Sequence, residues 1–191
     1  SHTHVHTEPA PLPLPANEYG EQPAVGLRDF AEINAAMSQL TGVPPTHGDI
    51  PETYQRLRTQ LPSEENIEAF MTAHQVGIAQ LAIEYCNALV EAERDGDTTV
   101  PPLFVGMNYN ADVTSITQQQ WRDWVISPLF ERMVGNGQAR QPARADVEGE
   151  LEDLLFNTNL TQCSGDCMER TATATKAACA TMLGSATMLV Q

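Results

Sequence analysis

The four cysteines constrain the fold of this 191-residue chain more than any other feature. Cys86 and Cys179 each lie within an apolar pattern of helical spacing, whereas Cys163 and Cys167 share the short polar segment CSGDC. Four cysteines allow three pairings. Cys163 and Cys167 are close in sequence, and Gly165 gives the backbone the freedom to bring their sulfurs together. This pairing leaves Cys86 to bond with Cys179.

The predicted Cys86–Cys179 bridge closes a long loop. In the chain-entropy model, such a cross-link stabilises the fold by about 4 to 5 kcal/mol. Disulfides persist in oxidising compartments, so the pairing predicts an extracellular, cell-surface or periplasmic protein. Four free buried thiols are the alternative, because free cysteine is common in protein cores. A zinc site fits poorly, since CxxxC without a nearby histidine differs from the usual ligand pairs.

The charge of the chain narrows the classes of partner. The formal net charge is -15, from 25 acidic and 10 basic residues. This charge repels phosphate backbones and anionic lipid, which disfavours nucleic-acid binding and electrostatic docking on a membrane. The sequence contains no run of 18 apolar residues, so we predict no transmembrane segment.

The first 25 residues are predicted to form an extended or disordered tether rich in histidine and proline. Prolines recur at nearly alternate positions in PAPLPLPANEYGEQP, which favours polyproline geometry. Residues 26–191 form the predicted helical domain. The chain opens with SHTHVHTEP, so we expect a mature product or an excised fragment, and Ser1-His2 is also compatible with a cloning remnant.

Apolar residues at three-and-four spacing predict helices through most of this domain, and no strand pattern of useful length occurs. The fold class is therefore all-α, a single disulfide-stapled bundle of five to seven helices. Capping-box spacing places helix starts at Asp49 and Ser115, and Pro128 should kink or restart one helix with Ser127 as its cap. The predicted segments are about 27–41, 50–61, 64–94, 115–133, 142–156 and 169–188.

The large apolar residues of these helical patterns form the predicted core. They are Phe70, Leu81, Tyr85, Trp121, Leu154 and Met182.

Residues 95–114 are too rich in Gly, Pro, Asn and Asp for a regular element. We predict a long loop there.

Three segments carry a resemblance to a known class of protein. They are GLRDFAEINAAMSQLTGV, LPSEENIEAFMTAHQVGIAQLAIEYCNALV and RTATATKAACATMLGSATMLVQ. They resemble the helical region of large gammaproteobacterial exported or surface proteins that also carry LamG-type modules. The resemblance implies an exported protein or protein segment. It transfers no activity to any residue, and these residues contain no LamG sandwich.

The N-terminal histidines form the clearest candidate metal site in the sequence. His2, His4 and His6, with Glu8, lie at alternate positions, and alternate residues of an extended segment point the same way. They could present several imidazoles to Cu(II), Zn(II) or Ni(II). The alternative is a disordered terminus whose histidines are incidental.

A second candidate cation site lies in the predicted loop. Asn108, Asn110 and Asp112 have the one-three-five spacing of calcium loops. They lack the mid-loop glycine and the closing glutamate of an EF-hand. A surface turn is therefore the alternative interpretation.

Catalytic signatures are absent from the sequence, since no GxSxG, HExxH, P-loop or dinucleotide motif occurs. The leading hypothesis is a non-enzymatic exported helical domain that mediates assembly or attachment in a surface or extracellular complex. Its partner would be another protein or a second copy. One alternative is a periplasmic or extracellular metal-binding protein that uses the N-terminal histidines, with Cu or Zn as its cofactor. Another is a hydrolase with its site in the 95–114 loop.

Overall fold

The computed structural model describes residues 29–61, 67–135 and 143–189, and within these ranges it contains six helices and no strand. The all-α prediction is confirmed. Helix α4 is continuous but consists of three segments, and 3-10 turns cover Val113–Ser115 and Asn159–Thr161. The helices are α1 (Phe30–Thr41), α2 (Ile50–Gln60), α3 (Ile67–Asp95), α4 (Gln118–Trp121, Arg122–Ile126 and Ser127–Met133), α5 (Arg144–Phe156) and α6 (Arg170–Leu189).

Helix α3 forms the centre of the bundle, and α6 runs antiparallel beside it. Cys86 of α3 is bonded to Cys179 of α6, while Ala82 lies opposite Gly184. A Cβ built on Gly184 would lie 4.0 Å from the Ala82 Cβ, so small side chains let the two backbones approach closely. Helices α1 and α2 pack on α3, and α1, α4 and α5 pack on α6. No helix of the described part is long and apolar enough to cross a membrane.

Both predicted disulfides are confirmed. The Cα atoms of Cys86 and Cys179 are 5.8 Å apart, as are those of Cys163 and Cys167. Gly165 has φ +100°, a conformation that glycine adopts without strain and that closes the short loop. All four cysteines are therefore bonded, and the alternative of free thiols is wrong.

One contiguous hydrophobic core joins the helices. The predicted core residues Leu81, Tyr85, Trp121 and Met182 are buried in it. The prediction for Leu154 is wrong, because α5 turns its Leu151–Leu155 edge inward and leaves Leu154 half-buried. The side chain of Phe70 and the predicted tether at residues 1–25 lie outside the described residues.

The predicted helix caps differ from the observed ones. The Asp49 side chain makes no capping hydrogen bond, and α2 instead begins with Pro51 in its first turn, where a missing N–H costs nothing. Helix α4 begins at Gln118, and its N-cap is Thr117 rather than Ser115. The Thr117 hydroxyl accepts from the backbone N–H of Gln120 at 3.1 Å, and Gln120 Oε1 accepts from the Thr117 N–H at 2.9 Å.

Pro128 does not restart its helix, and Ser127 does not act as a cap. The helix widens into a π-turn over Arg122–Ile126, so the Ser127 N–H donates to the carbonyl of Arg122, five residues back. A single widened turn accommodates a proline that lacks its own N–H, and α4 continues without a break. The Ser127 hydroxyl instead accepts from Arg144 at the start of α5, at 3.1 Å.

Candidate interaction surface

Helix α3 exposes uncharged and mostly apolar side chains on the side opposite its buried face. Thr72, Val76, Ala79 and Ile83 are separated by four, three and four residues, which places them along one side of a helix. Val76 is 51% exposed and Ile83 is 58% exposed. We call these four residues the α3 stripe.

The stripe is uncharged although the chain is strongly acidic. No Asp, Glu, Lys or Arg occurs in residues 69–83 of α3 or in residues 177–189 of α6. Because α3 and α6 are antiparallel, these two segments lie at the same end of the helix pair. These neighbouring segments of the two central helices are therefore free of Asp, Glu, Lys and Arg, and Glu68, in the first turn of α3, borders them.

The buried side of α3 fixes the orientation of the stripe. The Tyr85 hydroxyl donates to Asn34 Oδ1 on α1 at 2.7 Å, and the His74 ring meets the edge of Phe30 with 6.3 Å between ring centroids. Burial raises the pKa of the Tyr85 phenol, which is protonated at neutral pH and donates this hydrogen bond. With Cys86 bonded to α6, the helix is held from two sides, by α1 and by α6.

An exposed three-and-four pattern on a rigid helix is the geometry with which helices pair. Neutral apolar side chains are also removed from water at little cost, unlike charged ones. The α3 stripe is therefore suited to packing against another helix. Of its four side chains only Thr72 has a polar group, a hydroxyl, and none is an acid or a base.

The predicted loop at residues 95–114 is held by one partly buried carboxylate, that of Glu93. Glu93 Oε1 accepts from the backbone N–H groups of Leu103 and Phe104 at 3.0 and 2.8 Å, and Oε2 accepts from the Tyr109 hydroxyl at 3.1 Å. Burial raises the pKa of Glu93 and of Tyr109. Because both oxygens hold the loop in place, Glu93 acts as a structural anchor here. The arrangement lends the hydrolase hypothesis no support.

The candidate calcium ligands Asn108, Asn110 and Asp112 form local turns. Asn108 Oδ1 accepts from the Asn110 N–H at 3.0 Å, and Asp112 Oδ1 accepts from the N–H and hydroxyl of Thr114 at 2.8 and 2.7 Å. The hydrogen bonds from Thr114 lower the pKa of Asp112. Such self-contained turns are typical of Asn and Asp in loops.

The candidate metal ligands His2, His4 and His6 lie outside the described residues. Within the part of the chain that the structure describes, no three His, Cys, Asp or Glu side chains group together as a metal site would require.

A cavity of about 410 Å³ lies beside α4 and the Cys163 loop, with Trp121, Phe156 and Gln162 in its walls. The Trp121 Nε1 is the one buried side-chain nitrogen or oxygen without a hydrogen-bond partner among the described residues. This atom is fully covered by protein, so a molecule in the cavity would not reach it. The cavity has polar walls but no charged group directed at a ligand.

The sequence prediction assigned no role to the α3 stripe. Val76 and Ile83 were hidden by the stronger apolar pattern of the buried face, which runs along the same helix. The usable signal was a second three-and-four series, 72–76–79–83, offset from the first and free of charge. Comparison with known proteins identifies no family for the chain: no family model, no curated protein and no solved structure matches it.

Proposed function

We propose that this protein is an exported, non-enzymatic helical domain that mediates assembly or attachment in a surface or extracellular complex. The observation that carries the proposal is the uncharged α3 stripe, exposed on an otherwise strongly acidic chain. The two disulfides support export, because such bonds persist in oxidising compartments.

The stripe can stabilise a contact with another helix through the burial of apolar surface. Val76 and Ile83 each have about half of their surface left to bury, which contributes roughly 1 kcal/mol per side chain. A few residues near the centre of an interface usually carry most of its energy, so a short contact of this kind can still matter. Ala79 lies between them and lets a partner helix approach closely.

The test is the size of the complexes that contain the protein in the extracellular and surface fractions of cells that produce it. We expect the wild type to sediment in complexes larger than the 20.9 kDa chain. Ile83→Glu and Val76→Glu should sediment as the free chain, since each places a charge at the centre of the contact. Both positions are exposed, so circular dichroism and the unfolding midpoint should stay unchanged.

Gln39→Glu is the matched control, because Gln39 is an exposed neutral residue of α1 and the change adds the same charge away from the stripe. It should leave the complexes intact. A wild type that sediments as the free chain would contradict the proposal, and so would equal losses in Gln39→Glu and Ile83→Glu.

A further inference from the structure

We propose that the occupant of the α3 stripe is a second copy of this chain, paired antiparallel about Ala79. This inference rests on the proposed function and names its partner. It follows from the order of side-chain sizes along the stripe, from the charges beside it and from its length.

The stripe reads large, small, large from Val76 through Ala79 to Ile83. This order is the same in both directions, so an antiparallel copy presents a matching surface. A two-fold axis between residues 79 and 80 brings Val76 against the partner's Ile83, and Ile83 against the partner's Val76. The two Ala79 methyl groups meet near the axis, where the helices cross most closely.

The charge of the chain limits which of its faces can pair with a second copy. Two chains of net charge -15 repel one another, and an uncharged contact avoids placing like charges together. Arg56 of α2 donates to Gln80 at 3.4 Å, on the same flank of α3 as Glu84. The two-fold axis keeps this flank of both copies on one side, so Arg56 approaches the partner's Glu84.

The length of the stripe sets the strength of the pairing. Residues 69–83 span roughly 21 Å of helix at 1.5 Å per residue. A helix pair of this length buries less than the roughly 1,600 Å² of a standard interface. We therefore expect a reversible dimer, in which the apolar contact competes with repulsion between the two acidic chains.

This competition predicts an unusual salt dependence. The Debye length falls from about 10 Å at 0.1 M to about 3 Å at 1 M salt, so added salt weakens the repulsion between the chains. The apolar contact is not screened. Dimerisation should strengthen as salt rises, whereas a dimer held mainly by ion pairs would weaken.

Sedimentation equilibrium of the purified chain at low and high salt tests the pairing. We expect a wild-type dimer that tightens with salt, and the same behaviour for Gln39→Glu. Ile83→Glu and Val76→Glu should each raise the dimer Kd at least about tenfold, a loss of about 1.4 kcal/mol.

Cross-linking tests the antiparallel orientation. The native cysteines are all disulfide-bonded, so a short bismaleimide reacts only with an introduced thiol. Ala79→Cys should cross-link efficiently, because the two copies of residue 79 meet near the axis. Thr72→Cys should not, since its two copies lie roughly 22 Å apart along an antiparallel pair. A parallel pair would cross-link at both positions.

The pairing is overturned if the purified wild type stays monomeric at every salt concentration, if Ile83→Glu dimerises as well as the wild type, or if Thr72→Cys cross-links. These results separate the inference from the proposed function. If the purified chain is monomeric but stripe variants still lose the large complexes formed in producing cells, the proposed function stands and self-pairing falls. If the stripe variants change neither readout, both fall.

Discussion

Gly106 shows how one residue fixes the packing of the long loop against α4. A Cβ built on Gly106 would lie 2.5 Å from Cδ1 and 2.7 Å from Nε1 of Trp124. These distances are far below a relaxed contact, and the atoms belong to a rigid ring. The close approach of the indole therefore leaves no room for a side chain at position 106 unless Trp124 moves.

We expect Gly106→Ala to displace Trp124 and to lower the free energy of unfolding by about 1 to 3 kcal/mol, the usual cost of an overpacked site. Denaturant unfolding gives the free energy, and tryptophan fluorescence reports the displaced ring. Gly149→Ala is the control, because Gly149 lies in α5 with nothing within 4 Å of an added Cβ. It should gain up to about 1 kcal/mol from helix propensity. Similar effects at the two glycines would contradict this account.

At the scale of the element, α3 has one face in the core and the other in solvent. Leu81 is fully buried, whereas Ile83, two residues further along, is 58% exposed. Leu81→Ala should cost about 2 to 5 kcal/mol, through lost burial and the cavity that remains. Ile83→Ala removes a side chain of the same size from the exposed face and should cost less than about 0.5 kcal/mol in the monomer. Urea unfolding of dilute protein measures both, and a near-neutral Leu81→Ala would show that the α3 register is wrong.

The sequence predicts helices better than it predicts their ends. The spacing of Leu81, Tyr85 and Met182 locates the buried faces because burial follows helical periodicity directly. Ser115 and Thr117 compete for one cap, and spacing alone does not choose between them. The structure chooses Thr117 because Asp112 caps a 3-10 turn that already includes Ser115.

The exposed side of α3 was harder to predict, for a physical reason. Apolar residues on all sides of a long helix usually indicate burial on all sides. Only the packing of α1, α2 and α6 around α3 shows that Val76 and Ile83 are left uncovered. The disulfides could be predicted in advance because their partners follow from helix placement and from Gly165.

At the scale of the whole molecule, the two disulfides should contribute unequally to stability. The Cys86–Cys179 bond joins residues 93 apart in sequence, and the Cys163–Cys167 bond joins residues 4 apart. In the chain-entropy model, loops of these lengths correspond to about 4 to 5 and about 2 kcal/mol. Replacing each pair by alanine and measuring the free energy of unfolding tests this difference. Equal losses, or a larger loss from the short loop, would count against it.

A network of charged groups adds a second, pH-dependent link between α3 and α6. Lys176 Nζ lies 2.6 Å from Glu91 Oε1, and Arg94 joins Glu91 at 3.0 Å to Glu169 at 2.9 Å. The hydrogen bond from Lys176 is the largest cause that lowers the pKa of Glu91, and Arg94 adds to it. The pKa of Glu169 is lowered by Arg94 in the same way.

A carboxyl whose pKa is lower in the folded state stabilises the fold above its ordinary pKa, and this contribution is lost as pH falls through its folded pKa. The wild type should therefore be more stable than Glu91→Gln near pH 7, by about 1 kcal/mol for such a partly exposed pair. This difference in stability should disappear in acid, below the ordinary glutamate pKa of about 4.5.

Glu93 contributes to the pH dependence with the opposite sign, because burial raises its pKa and protonation relieves the cost of burying its charge as pH falls. The free energy of unfolding should therefore be measured across pH for both proteins. The difference between wild type and Glu91→Gln gives the contribution of Glu91 alone. Glu150→Gln is the control, because Glu150 is an exposed residue of α5 without an ion pair among the described residues. A difference for Glu91→Gln that persists in acid would show that the ion pairs do not stabilise the α3–α6 contact.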